Sequence, residues 1–253
     1  MVPIKEAKGK RLLALASPLL WFGLLSALSA VIADPLILPQ PFKIAVRFFE
    51  IAPTADFLLT VLHSLLRILL GLLIGVAVGT AIGILSYLFL PLAYLLRPLL
   101  TVLRSTPVAS FIILVWYLTG GEILPLVISA IMVVPIVSDQ LLAGLRGADP
   151  ALGEVAELYR FTKWQRLILY RLPAALPYFF SAIVTSVGFA WKAGIAAEIL
   201  ATTQGSLGSL IFFAKGDYGS PDLWAYTLAV VLLSLLLEFL VKKTLHFIKR
   251  MAV

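Results

Sequence analysis

The chain has 253 residues, of which 61% are hydrophobic and 13% charged, whereas a soluble domain is about half apolar and about a quarter charged; an ordinary soluble globular domain is excluded. The formal net charge is +7. Alongside apolar blocks of bilayer-spanning length, that excess reads as cytoplasmic loop charge and not as a nucleic-acid surface, and the absence of cysteine excludes disulfides, thiolate metal sites and a cysteine nucleophile.

In chain order, the first apolar block is residues 12–33, preceded by Lys5, Lys8, Lys10 and Arg11. It is long for a signal-peptide core and further spans follow, so it is expected to remain as a first helix. Residues 34–60 are proline-rich. Within them, 42–51 places Phe42, Val46 and Phe49 on one helical face with Lys43, Arg47 and Glu50 towards the other, the pattern of a short helix lying on the membrane surface. Further spans are predicted over 65–87, 99–118, 123–142, 176–200 and 223–241. The fold class is therefore all-α, a polytopic membrane protein of about six transmembrane helices. It divides into an N-terminal helix with its external interfacial segment (1–60) and a core of the remaining spans (61–253). A tight hairpin at 119–122 joins the third and fourth spans, and a polar stretch, 143–171, separates the fourth from the fifth.

Orientation follows from the side on which Lys and Arg fall. With the N-terminus inside, the cytoplasmic segments collect Lys5, Lys8, Lys10, Arg11, Arg97, Arg104, Arg146, Arg160, Lys163, Arg166, Arg171, Lys242, Lys243, Lys249 and Arg250, while the outside holds only Lys43, Arg47 and Lys215. This asymmetry puts both termini and the loop 146–171 in the cytoplasm.

Gly71, Gly75, Gly79 and Gly83 repeat every four residues in the second span and form one face on which another helix can approach closely. That face reads as a packing seam within the chain, with a seam between two copies as the sharper alternative. Prolines at 91, 98, 107, 125 and 135 fall at or within the third and fourth spans; such breaks in a membrane occur where helices surround a cavity. Arg67, Asp139, Lys192, Glu198 and Glu238 are ionisable groups in or near spans, where charge is expensive and faces protein or water. Arg67, Asp139 and Glu238 lie near helix ends. Lys192 and Glu198, six residues apart in the fifth span, point about 120° away from each other and do not pair directly. With Trp191 they are candidates for a translocation pathway.

No chemistry assembles. There is no phosphate-binding G-x-x-x-x-G-K-[ST] pattern, no metal spacing around His63 and His246, and no serine in a G-x-S-x-G context. The reading is conduit, anchor or carrier, not enzyme, with no metal and no cofactor in this chain.

In the cytoplasmic stretch, Asp149 and Pro150 read as the cap and first residue of a helix. Acidic Glu154 and Glu157 then precede basic Arg160 and Lys163, and Leu152, Val155, Ala156, Tyr159 and Trp164 give a partly apolar surface that needs a partner. A second helical piece, 165–170, leads to Pro173 and Pro177, which stiffen the entry to the fifth span. The order Asp149-Pro150, Glu154-Val155-Ala156, Trp164-Gln165 and Leu172-Pro173-Ala174-Ala175-Leu176-Pro177 resembles the "EAA" loop of type I, binding-protein-dependent ABC importer permeases. Leu38-Pro39, Ser105-Thr106-Pro107 and the segment from Ala190-Trp191 to Ala197-Glu198 are similar to the nitrate/sulfonate/taurine branch. Two positions depart from the family pattern: Val155 replaces its middle alanine, and Arg160 stands where it has glycine.

The resemblance implies the type I importer permease fold, located in the bacterial inner membrane, with a cytoplasmic coupling helix. Its expected partners are an ABC ATP-binding subunit that carries ATP and Mg, a second permease copy (a homodimer) and an external solute-binding protein, within membrane lipid and without nucleic acid. The coupling positions it implies are Glu154, Ala156, Glu157, Tyr159, Arg160, Lys163, Pro173 and Pro177. The implied cargo is a small solute such as a sulfonate, nitrate, taurine or a vitamin precursor. The competing readings are a secondary transporter or channel working without an ATPase, for which no internal repeat is visible, and a membrane anchor for a cytoplasmic complex.

Overall fold

A computed structural model describes residues 17, 20–34, 37–216 and 221–251. Among them every regular element is helical. In order these are α1 (Leu20–Ile32), α2 (Pro41–Ile51), α3 (Ala55–Leu88), α4 (Leu90–Ser105), α5 (Val108–Thr119), α6 (Leu124–Arg146), α7 (Pro150–Leu158), α8 (Lys163–Arg166), a π-helical turn (Leu167–Arg171), α9 (Leu172–Ala201), α10 (Leu207–Ala214) and α11 (Asp222–Met251). Four helical stretches are long and apolar enough to cross a membrane: α3, α6, Lys163–Ala201, and α11 over Asp222–Leu245. A fifth is reached if α4 and α5 count as one broken span. Of the expected first span, 12–33, only Ser17 and residues from 20 onward are described. The expected number of six is therefore not reached among the described residues.

The second span is longer than its apolar core predicted, 34 residues from Ala55 to Leu88. At 1.5 Å per residue that is roughly 50 Å, against roughly 30 Å of hydrocarbon, so α3 tilts or projects. The third span is a correction. Residues 99–118 are not one helix; α4 and α5 meet at 107°. Pro107 explains the break: it disfavours helical backbone at Thr106, which is extended at ψ 133°.

The chain divides into two compact units. One takes the described residues up to Leu58 together with Leu210–Ala229; the other takes Leu59–Ser209 and the chain from Val230 on. The first unit thus includes a stretch assigned to the core on sequence. Long-range contacts account for this: Arg47 on α2 grips Asp222 at the start of α11 with both its Nε and its Nη2, the latter at 3.1 Å, and Phe57 stacks on Tyr226 at 6.1 Å. The hydrogen bond to Asp222, joined by one to Glu50, holds the Arg47 guanidinium above its ordinary pKa. Phe42 and Phe49 on α2 are 70% and 74% exposed, an apolar face of the kind that inserts into a membrane surface.

In the second unit α6 is the central helix. Its buried face runs from Leu124 to Leu145 and packs along α9. Small residues permit the approach. A methyl group on Gly144 would lie 2.9 Å from the Ala175 Cα, and one on Gly194 would lie 2.5 Å from Ile68 and 2.7 Å from the Ser129 Oγ. The four glycines of α3 also face α6: Gly71 abuts Leu126 and Ser129, Gly75 abuts Ala130 and Val133, Gly79 abuts Val134 and Val137, and Gly83 abuts Ser138 and Leu141. Close backbone approach maximises dispersion contacts where lipid offers no hydrophobic drive.

Candidate functional site: the loop between α6 and α9

The loop is built by caps. α6 ends at Arg146, with its last carbonyls claimed by Arg171, whose guanidinium donates to Leu145 O at 2.9 Å and Arg146 O at 3.4 Å. Asp149 caps α7 by accepting from the Ala151 amide at 2.9 Å, and Pro150 occupies the first turn. At the other end the Phe161 amide donates to Ala156 O at 2.8 Å and the Arg160 amide to Glu157 O at 2.9 Å. This is a Schellman closure, which requires a left-handed residue just past the helix; Arg160 supplies it at φ 53°. The position where the family pattern has glycine is thus one whose backbone favours glycine.

This closure ends the helix that starts at Asp149 and Pro150 short of Lys163 and Trp164, which the sequence groups along the same stretch. α7 stops at Leu158, and a capping box restarts the chain. The Thr162 amide donates to Gln165 Oε1 at 2.8 Å, and the Gln165 amide donates to Thr162 Oγ1 at 3.3 Å. The expected second piece, 165–170, is α8 followed by the π turn, in which the Leu172 amide reaches back to Leu167 O. A widened turn directly before Pro173 accommodates the donor that proline lacks and its clash with the preceding turn. The entry to α9 stays helical through both Pro173 and Pro177, and both are exposed.

Ala156 is buried, at 2% exposure. Around it, Glu154, Glu157, Arg160 and Lys163 are exposed, and Leu152, Val155, Leu158 and Tyr159 are 50%, 49%, 81% and 70% exposed. A nine-residue helix with both ends tied and large apolar side chains in the open is suited to contact another surface.

Trp191, Lys192 and Glu198 occupy three different environments. Lys192 is exposed. Trp191 is 1% exposed and donates from Nε1 to Val230 O on α11 at 3.1 Å. Glu198 is fully buried. Its Oε2 accepts from Ser64 Oγ at 2.8 Å and from the Gly208 amide at 3.2 Å, while Ser64 Oγ accepts from the Leu207 amide at 2.9 Å. The carboxylate therefore ties α3, α9 and the start of α10. Gly208 is needed there, since any side chain would collide with Glu198. Beside this latch, Arg67 bridges Gln204 O at 3.2 Å and Glu122 at 3.1 Å. Glu238 pairs with Lys242 one turn on. Apart from that i,i+4 pair, the partners of Glu198, Trp191 and Arg67 lie far along the chain, at separations of 134, 39 and 55 residues for Ser64, Val230 and Glu122, and no local signal announces them. Sequence reasoning also missed the ion pair of Arg104 on α4 with Asp139 on α6. Among the described residues no group of His, Asp or Glu is arranged to hold a metal.

Comparison with known proteins gives the same architecture. A crystal structure of an amino acid ABC transporter with histidines superposes with a TM-score of 0.64 at 17% identity, covering 81% of this chain and 97% of that one. The taurine transport system permease protein of Escherichia coli is 26% identical over 81% of this chain and 76% of its own length. A putative aliphatic sulfonates transport permease protein of Bacillus subtilis is 30% identical over 71% of this chain and 65% of its own length. The riboflavin transport system permease protein of Chloroflexus aurantiacus is 30% identical over 55% of this chain and 53% of its own length. The chain thus spans between half and two-thirds of the latter two relatives. Residues 71–246, which include the glycine face of α3, the capped loop and Glu198, match a family model, and the chain belongs to that family: the binding-protein-dependent transport system inner membrane components.

Proposed function

We propose that this chain is the transmembrane permease subunit of an ATP-driven importer, and that α7 is its coupling helix. The observation that carries the reading is α7 itself, capped at both ends, burying Ala156, and exposing Leu152, Val155, Leu158 and Tyr159. Exposed apolar side chains on a short tethered helix gain most when a partner covers them. ATP hydrolysis belongs to that partner, an ABC ATP-binding subunit that docks against Glu154, Glu157, Tyr159, Arg160 and Lys163. The rigid path from α7 through the capping box, the π turn and the Pro173–Pro177 entry delivers the partner's movement to α9. Two copies form the pathway, and an external binding protein delivers a small solute. The relatives' names point to the sulfonate, taurine or vitamin type, to which nitrate is added as a cargo of the same branch. The basic-residue count supports a cytoplasmic position for both termini and α7, with the chain in a bacterial inner membrane.

The test is reconstitution of the chain in liposomes with an ABC ATP-binding subunit and a solute-binding protein from the same organism. The expected result is ATP-dependent, binding-protein-dependent uptake that is lost, together with ATPase association, on deletion of residues 154–163. Association that survives the deletion overturns the docking assignment. Uptake without the ATPase overturns the importer reading.

A further inference from the structure

α4 and the ends of α3 and α6 line a half-open cavity of about 520 Å³. Its charged lining is Arg97, Arg104, Arg146 and Asp139, with the hydroxyl-bearing Ser86, Tyr87 and Tyr94. Three guanidinium groups face one carboxylate. Asp139 is committed to Arg104. Among the described residues neither Arg97 nor Arg146 has an ion pair. The carbonyls at the end of α6, which would otherwise attract the Arg146 guanidinium, are occupied by Arg171. Arg97 and Arg104, seven residues apart, lie on one face of α4. The wall therefore carries excess positive charge, and like charges around one cavity repel until an anion enters. Guanidinium forks match the geometry of tetrahedral oxyanions, to which they donate paired hydrogen bonds.

We infer that this cavity binds a phosphate-type oxyanion between Arg97 and Arg146, with Arg104 held in place by Asp139. The same chemistry can come from the headgroup of an anionic phospholipid or from free inorganic phosphate. The headgroup is favoured by Leu90 and Tyr94, which line the cavity on the arginine face of α4, are 56% and 66% exposed, and offer an apolar surface to acyl chains beside the arginines. Basic residues at a membrane surface attract anionic lipid in this way.

The experiment uses the full chain in nanodiscs with two arms. In the first, phosphatidylcholine discs are titrated with radiolabelled inorganic phosphate. In the second, discs contain phosphatidylglycerol, and the lipid retained on repurification is quantified by mass spectrometry. Arg97→Gln/Arg146→Gln is compared with wild type and with a charge-matched control, Lys242→Gln/Lys243→Gln. The expected result is a loss of about tenfold or more in one arm for the arginine variant, as for charged hydrogen bonds, with the lysine control unchanged; the arm affected identifies the source. If the glutamine variant does not fold, Arg97→Lys/Arg146→Lys keeps the charge but removes the forks, and a clear weakening against wild type carries the same test. Wild-type protein that binds neither ligand, or equal losses in the arginine and lysine variants, overturns the inference.

Discussion

The amide of Phe161 reaches back to the carbonyl of Ala156 across 2.8 Å, with Arg160 between them in a left-handed conformation. The end of α9 repeats this closure: the Thr203 amide donates to Glu198 O at 3.1 Å and the Thr202 amide to Ile199 O at 3.4 Å, with Thr202 at φ 47°. Both helices stop beside residues the site depends on, α7 at the proposed docking surface and α9 at the Glu198 latch. Both closures use a residue other than glycine, which costs of order 1–3 kcal/mol in that backbone region. The surrounding hydrogen bonds must offset that cost, so these helix ends are places where a substitution acts through the backbone and not through a lost contact.

Arg160→Gly should tighten the end of α7. The left-handed penalty disappears, partly offset by the greater freedom of glycine in the unfolded chain. A net gain of roughly 0.5–1 kcal/mol corresponds to about a two- to fivefold slower exchange of the Phe161 amide, measurable by hydrogen exchange in nanodiscs. Arg160→Val, which is β-branched, should speed the same exchange. Equal exchange in all three proteins would mean the closure does not govern this end of the helix.

Two glycines separate packing from propensity. A methyl group on Gly75 would lie 2.6 Å from Val133 Cβ and 2.8 Å from Ala130 O, whereas one on Gly188 meets nothing within 4 Å. Gly75→Ala should therefore lower the midpoint of thermal unfolding by an amount matching about 1–3 kcal/mol of overpacking. Gly188→Ala should leave the midpoint unchanged or raise it, since alanine is the better helix former by about 1 kcal/mol. A Gly75→Ala protein as stable as wild type would remove the α3–α6 seam as a packing constraint.

Capping makes a further prediction for the loop. Asp149→Ala removes the side-chain acceptor of the Ala151 amide at the start of α7 and should cost about 1 kcal/mol of local stability. Asp149→Asn keeps an acceptor and should cost little. The readout is exchange of the Ala151 amide. If docking of the ATPase requires a formed α7, its affinity should fall in the same order.

The spans were legible because their physics is local. A run of apolar residues is expensive to place anywhere but lipid or a core, and glycines every fourth residue fall on one face whatever the partner. Asp149-Pro150 was legible for the same reason, since a cap acts within one turn. The break at Pro107 was overlooked although Arg104-Ser105-Thr106-Pro107 interrupts the apolar run there; averaged over a span-length window those four residues are outweighed by their apolar flanks, so hydropathy alone joins two helices. The stop at Leu158 was hidden because glycine, the usual sign of such a closure, is replaced by Arg160. The Glu198–Ser64 and Arg104–Asp139 pairs span 134 and 35 residues. Which buried carboxylate finds which donor depends on how helices pack, and no local pattern encodes that.

Glu198 gives the sharpest test of what its burial is for. In Glu198→Gln the amide oxygen can still accept from Ser64 and from the Gly208 amide, and the shape is kept. The new NH₂ group falls where Oε1 stands, an atom with no hydrogen-bond partner among the described residues. The cost should be modest, about that of one unsatisfied donor, 1–3 kcal/mol. In Glu198→Ala the Gly208 amide loses its acceptor, Ser64 loses its partner and a void opens, so the losses should reach about 3–5 kcal/mol. Thermal unfolding in nanodiscs should rank wild type above Gln and Gln above Ala, and the Ala variant should also speed amide exchange at Leu207 and Gly208, where α10 begins. If alanine and glutamine behave alike, the carboxylate does not hold α3, α9 and α10 together. If glutamine is as stable as wild type yet transport in reconstituted vesicles fails, the charge at Glu198 serves the pathway and not only the latch.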